Sequence, residues 1–390
     1  MSEDNPLQRR PPPPIPVSVL TGFLGSGKTT LLNRLLRDPA LADTLVLINE
    51  FGEIGLDHLL VERAEGDMIL MSSGCLCCTI RGDLVSTLED LLKRRDNNRI
   101  TPFQRILIET TGLADPAPVL HTIMFHPYLM MRYKLEGVIT LVDAINGAST
   151  LDAHEESVKQ AAVADRLLLS KADLVKDAAA LDALKKRLHA LNPAAQMMLV
   201  DQATPANLFN TGLYDAASKT ADVTRWLNAE AVEKAEHDHH DHDHHHHGHD
   251  HHHHDHGHDV NRHDARIRAH CLRSEKPLDP RGFDLFLNML REFHGPSLLR
   301  VKGIVALSDD LTRPLVIHGV QHVFHPPVRL EAWPDADHST RIVFILKDLG
   351  VDFVEKLWAA FANITQTDTP DRAAMEDNPL APSRSGGLLT

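Results

Sequence analysis

From Val17 to about Val200 the chain alternates short apolar runs with stretches of helical periodicity. The runs read "VSVL", "TLVLIN", "DMILM", "RILIE", "GVITLVD", "RLLLS" and "MMLV". Runs this short and this continuously apolar suit strands buried on both faces, and the intervening patterns suit crossover helices. The expected fold class is therefore α/β, a mostly parallel, doubly wound sheet. Two helices are placed directly by their stop signals. One runs from Lys28 to Leu36, ahead of Asp38-Pro39, and the other from Asp177 to Leu191, ahead of Asn192-Pro193.

The pattern breaks at residues 237–258, which hold 15 His, 5 Asp and 2 Gly. Nothing there can build a core, so the segment is expected to be a disordered linker. Beyond it "RGFDLFLNMLREFHG" has the pattern of an amphipathic helix. The pieces "LLRVKGIVAL", "PLVIHGVQHVFH", "VRLEAWP" and "TRIVFILKDL" predict strands of a smaller α+β C-terminal domain.

Candidate chemistry enters with "GFLGSGKTT". It fits G-x-x-x-x-G-K-[ST] through Gly22, Gly27, Lys28 and Thr29, with Gly25, Ser26 and Thr30 completing the loop, between an apolar strand and a helix. Glycines let backbone N–H groups approach phosphates, the lysine reaches the β/γ-phosphates, and the threonine hydroxyl serves Mg²⁺. The fold is thereby narrowed to a P-loop NTPase. A second acid near Mg²⁺ is expected at the end of a neighbouring strand. In "RILIETTGLADP" Glu109 takes that place and Gly112 follows where backbone meets a γ-phosphate. Lys28 and Glu109 are the candidate catalytic groups. "SKAD" carries Lys171 and Asp173 in the pattern by which GTPases hold guanine, with Ser170 where Asn is usual. GTP is favoured, and an ATP-using kinase or ATPase stays as the rival.

The chain has four cysteines, and Cys75, Cys77 and Cys78 crowd into "GCLCC". In a reducing compartment such a cluster reads as metal-binding or catalytic rather than as disulfides. Three thiolates leave one position of a tetrahedral ion open, as a site that hands its ion on requires. Redox thiols and a merely structural ion are the alternatives. Cys271 could complete the shell, or be a buried small residue. Asn49, Glu50, Glu53 and Asp57 in "INEFGEIGLD" are further candidates for Mg²⁺, water or metal contacts, Glu53 and Asp57 for the metal, against a solvated surface. The fifteen imidazoles of the tract can buffer several ions, and a pure metal store working through them is a second rival. His318, His322 and His325 are expected to be structural or surface groups.

With these pieces in order, "GFLGSGKTT", "INEFGEIGLD", "GCLCC", "ETTGLADP" and "SKAD", the chain resembles the CobW-like family of metallochaperone GTPases. That family includes the zinc-regulated GTPase metalloprotein activators and is related to the GTPases that help load nickel into hydrogenase and urease. The resemblance implies a P-loop GTPase domain at 16–225 and a CobW-type C-terminal domain at 266–365, while composition alone gives a flexible Pro-rich lead at 1–15, the His-rich linker at 226–265 and a polar disordered tail at 366–390. It also implies GTP hydrolysis with Mg²⁺, and a transition metal, zinc or alternatively Co²⁺ for cobalamin synthesis, held by Cys75, Cys77 and Cys78. The metal would be delivered to apo-forms of client metalloproteins, with a homodimer as an open option.

Charge and length add exclusions. The formal net charge of -14 argues against a general nucleic-acid or membrane-surface binder. No run approaches the roughly 18 consecutive apolar residues of a membrane helix, and the first sixteen residues lack a signal-type apolar segment. A cytoplasmic protein is expected.

Overall fold

The computed structural model describes residues 13–51, 68–73, 79–209 and 266–362. Seven strands form one sheet: β1 (Ile15–Gly22), β2 (Thr44–Phe51), β3 (Met68–Ser73), β4 (Arg105–Glu109), β5 (Tyr133–Asp143), β6 (Arg166–Ser170) and β7 (Gln196–Leu199). Their order is β3-β2-β4-β1-β5-β6-β7, and every pairing is parallel. Each apolar run named above is a strand. The strands lie buried on both sides because alternate residues feed two cores. Val17, Val19, Leu45 and Ile108 pack with helices α2 (Thr79–Asp96) and α3 (Ala117–Phe125). Leu20, Val46, Ile48 and Leu107 pack with α1 (Lys28–Leu35). Among the described residues the unit also holds α4 (Leu129–Arg132), α5 (Gly147–Ala153), α6 (Glu155–Ala162), α7 (Ala178–Leu191) and α8 (Pro205–Leu208).

Because all seven strands run one way, their C-terminal ends share one edge. Strand order reverses at β1, between β4 and β5, which is where open α/β sheets form their ligand crevice.

The second unit is an antiparallel sheet of β8 (Ile267–Ser274), β9 (Leu298–Leu307), β10 (Asp310–Val320), β11 (Val323–Phe324), β12 (Val328–Arg329) and β13 (Thr340–Lys347). Helices α9 (Pro280–His294) and α10 (Val351–Ala362) supply Phe283, Phe286, Leu290 and Val354 to its core. Asp279 caps α9 by accepting from Gly282 N–H at 2.9 Å. β8 has no counterpart among the expected strands, since its arginines and His270 interrupt the apolar pattern of "IRAHCLRS". Cys271 lies on this strand and is exposed, which corrects its reading as a buried small residue.

The two units share their interiors. Ile267, Leu299 and Ile345 pack with Val158, Leu184 and Leu188, and Val320 and Val323 join the core around α3. His121 Nε2 lies 2.9 Å from the carbonyl of Val320. At the seam Asp165, just before β6, is 1% exposed and accepts from Arg300 at 2.6 Å and Lys302 at 2.5 Å. Desolvation opposes its charge, yet the two cations hold its carboxyl well below the usual carboxylate range. His318 of β10 stands opposite Lys302 of β9, and burial, followed by the positive charges of Lys302 and Arg300, pushes its pKa well below the ordinary imidazole value.

Replacing Asp165 with Asn strands two buried cations, so urea unfolding at pH 7 is expected to show a loss of about 3–5 kcal/mol. Because the Asp165 pKa is depressed in the fold, its contribution is present at neutral pH. It is lost as pH falls below the unfolded value of about 3.9. Stability measured against pH should accordingly lose part of its acid limb in Asp165→Asn.

Candidate nucleotide and metal site

β1 ends at Gly22, whose φ of +140° and surroundings exclude a side chain. A Cβ there would stand 2.5 Å from the Leu141 carbonyl and 2.8 Å from Ser26 Oγ. Gly22 therefore serves the packing of loop on sheet, a role the motif alone does not reveal. Gly25 and Gly27 have φ of +72° and +94°. These left-handed conformations form backbone nests for anions, and α1 begins immediately after them with its N-terminal partial charge. Lys28 Nζ folds back over the loop and donates to the carbonyls of Gly22 at 2.8 Å and Phe23 at 3.2 Å. Thr29 and Thr30 occupy the first turn of α1.

On one flank, β4 delivers Glu109 beside Leu20 of β1, and Glu109 is buried. The loop after it is stitched to β1. Thr110 N–H donates to the Leu20 carbonyl at 2.9 Å, and the Thr110 hydroxyl donates to Thr21 Oγ1 at 2.7 Å. Gly112 then meets the phosphate loop itself, where a Cβ would lie 2.5 Å from the backbone nitrogen of Leu24. The side chain of Gln160, from α6, donates to the carbonyls of Gly112 at 3.1 Å and Ala114 at 3.0 Å.

On the other flank, Ser170 at the end of β6 donates its hydroxyl to the Ser26 carbonyl at 2.7 Å. The serine that replaces the usual asparagine thus reaches the phosphate loop directly. Lys171 takes a left-handed φ of 56°, and its ammonium donates to Asp143 Oδ2 at 2.7 Å. Burial would raise the Asp143 pKa. Lys171, followed by the N–H groups of Ile145 and Asn146, brings it below the ordinary value. Asp173 is exposed on the turn Ala172–Leu174. A cavity of about 140 Å³ separates Phe23–Ser26 from the end of β5, α5 and Lys171. Asp143 and Gln160 are the two groups that sequence reasoning missed. Asp143 carried the same signal as Glu109, an acid closing an apolar run, whereas Gln160 carried none.

The thiols Cys75, Cys77 and Cys78, the acids Glu53 and Asp57, and the His tract 237–258 lie outside the described residues. Among the described residues no group of three His, Cys, Asp or Glu side chains is placed to hold a metal ion. Cys271 stands on β8 in the second unit. His322 packs edge-on against His121 at 4.8 Å, His318 is buried, and His325 Nδ1 lies 3.0 Å from the Pro326 carbonyl.

Ser170→Ala leaves the buried Ser26 carbonyl without this donor. Affinity for GTP and GDP, read by calorimetry, is expected to fall about fivefold for both, the equivalent of about 1 kcal/mol. Ser170→Asn should restore it.

Residues 16–199 match the family described as CobW/HypB/UreG, nucleotide-binding domain, and residues 267–362 match the cobalamin synthesis protein CobW C-terminal domain. The zinc chaperone YjiA of Escherichia coli is 39% identical over 187 residues, covering 48% of this chain and 58% of that protein. The match thus spans little more than half the length of that relative. The zinc chaperone CobW of a Sinorhizobium species is 30% identical over 261 residues, 58% of this chain and 71% of that one. The crystal structure of Zn(II)-bound YjiA GTPase from E. coli superposes with a TM-score of 0.63 at 26% identity, over 90% of this chain and 99% of that one. Among the described residues no helix is long and apolar enough to cross a membrane. Two family matches in the right order, a phosphate loop at the switch point of a parallel sheet and a separate antiparallel unit behind it place the chain in the CobW family of P-loop GTPases.

Proposed function

We propose that the chain is a GTP-hydrolysing metallochaperone of the cytoplasm. It binds zinc through Cys75, Cys77 and Cys78 and hands it to apo-forms of client metalloproteins. The observation that carries this reading is topological. β2, β3, β4 and β1 are parallel neighbours, so Phe51, Ser73, Glu109 and Gly22, each the last residue of its strand and each close in sequence to candidate chemistry, end on the same edge of the sheet. Relatives that share this domain are named zinc chaperones and a zinc-regulated GTPase metalloprotein activator.

In this reading the backbone N–H groups around Gly25 and Gly27 take the phosphates of GTP, and Lys28 turns from its carbonyl partners to the β/γ-phosphates. Asp173 accepts from the guanine edge and Lys171 lies along the ring. The hydroxyl of Thr29 and the carboxylate of Glu109 are hard oxygen donors of the kind Mg²⁺ takes. Mg²⁺ bound there supplies charge neutralisation on the phosphates. Gly112 offers backbone to the γ-phosphate. The difference between GTP and GDP passes from there to the segment holding Glu53 and Asp57 and to the thiols. Leu24, Leu113, Ile145 and Leu174 are exposed on the loops that leave β1, β4, β5 and β6. They offer a client an apolar rim around the nucleotide.

Co²⁺ titration of the full chain tests the metal site. The wild type is expected to develop a thiolate-to-cobalt charge-transfer band at one equivalent, and Cys77→Ala to lose it while GTP affinity is kept. A band that survives in Cys77→Ala would refute the thiol site.

A further inference from the structure

The loop Glu109–Gly112 is held from behind by a residue that no motif includes. Gln160 is 1% exposed and inserts its amide between α6 and this loop. Its side-chain Nε2 donates to carbonyls on either side of Leu113, Gly112 at 3.1 Å and Ala114 at 3.0 Å. Among the described residues its Oε1 has no hydrogen-bond partner, and the residue lines the cavity that borders Phe23–Ser26. The same helix grips the loop again one residue earlier, where Lys159 lies 3.4 Å from Asp115 and 3.2 Å from Glu155. Glu155 in turn accepts from Lys347, at the end of β13 in the second unit. Gly112 has no freedom on its other side, where it abuts the backbone of Leu24. Gly112 is thus held between Leu24 and Gln160, and α6 spans from Gln160 to the Glu155 contact with Lys347.

We propose that Gln160 is a positioning residue. Its amide sets the Gly112 backbone at the place where GTP is distinguished from GDP, and α6, through Lys159 and Glu155, links that loop to the C-terminal unit at Lys347. The inference rests on the reading of this site as a GTP site. It adds the device by which the γ-phosphate is sensed and the route by which the second unit is informed.

The test uses the full chain with Mg²⁺ and compares calorimetric affinities for GDP and a non-hydrolysable GTP analogue in the wild type, Gln160→Met and Lys347→Met. Gln160→Met keeps the volume and removes both donors. The GTP analogue is expected to weaken about tenfold, the scale of one or two lost bonds to buried carbonyls, while GDP affinity stays within about twofold. Lys347→Met is expected to shift the same ratio about threefold without changing GDP affinity. A packing defect would weaken both nucleotides together, so equal loss of both, or an unchanged ratio, in Gln160→Met overturns the positioning role. An unchanged ratio in Lys347→Met overturns the link to the second unit. A wild type that binds neither nucleotide overturns the GTP reading itself, and this proposal with it.

Discussion

Two backbone segments touch with no room for a side chain between them, and the rest of the site is arranged around that contact. Gly112, after β4, lies so close to Leu24 of the phosphate loop that a Cβ would fall 2.5 Å from its nitrogen. β1 is paired to β4 through Leu20 and Glu109, so the sheet brings the two loops to the same height. The Thr110–Thr21 hydrogen bond and the Thr110 N–H to Leu20 carbonyl bond fix the approach. Ser170 ties the far wall of the phosphate loop to β6. The two loops are thereby tied to each other and to the sheet, the arrangement that the proposed γ-phosphate site requires.

The second unit is not an appendage. It contributes Arg300 and Lys302 to a buried acid, Asp165, that itself holds the N–H of Val138 at 2.8 Å and stands at the root of β6. Lys347 meets Glu155 on α6. Both contacts reach elements whose other ends meet the phosphate loop or the Gly112 loop, Ser170 on β6 and Gln160 on α6. A buried ion pair of this kind adds little net stability against an apolar replacement, but breaking it on one side is costly. Its charges join the two units, Asp165 from one and Arg300 and Lys302 from the other.

The strands of the nucleotide-binding unit were legible because a doubly covered parallel sheet writes itself as unbroken apolar runs, and "GVITLVD" or "RLLLS" admit few other readings. The phosphate loop was legible because its spacing encodes a local backbone shape. β8 was hidden by its charged residues. Asp165 looked like an ordinary acid ahead of "RLLLS", since its partners lie 135 and 137 residues away. Gln160 lies in a helix of mixed composition and shows its purpose only through the carbonyls it meets. Gly22 was assigned to phosphate approach, whereas its neighbours show that the sheet requires it too. Contacts set by tertiary approach leave no periodic mark, and those are the contacts that connect the two units.

In the proposed function nucleotide state sets metal grip. The direct measurement is the zinc affinity of the full chain, by competition with a chelator, in the presence of Mg²⁺ with a non-hydrolysable GTP analogue and with GDP. Coupling of about 1–3 kcal/mol predicts zinc held roughly 5- to 150-fold more tightly in the GTP state, with GTP tightened by zinc to the same factor. Equal zinc affinities in the two nucleotide states would contradict it.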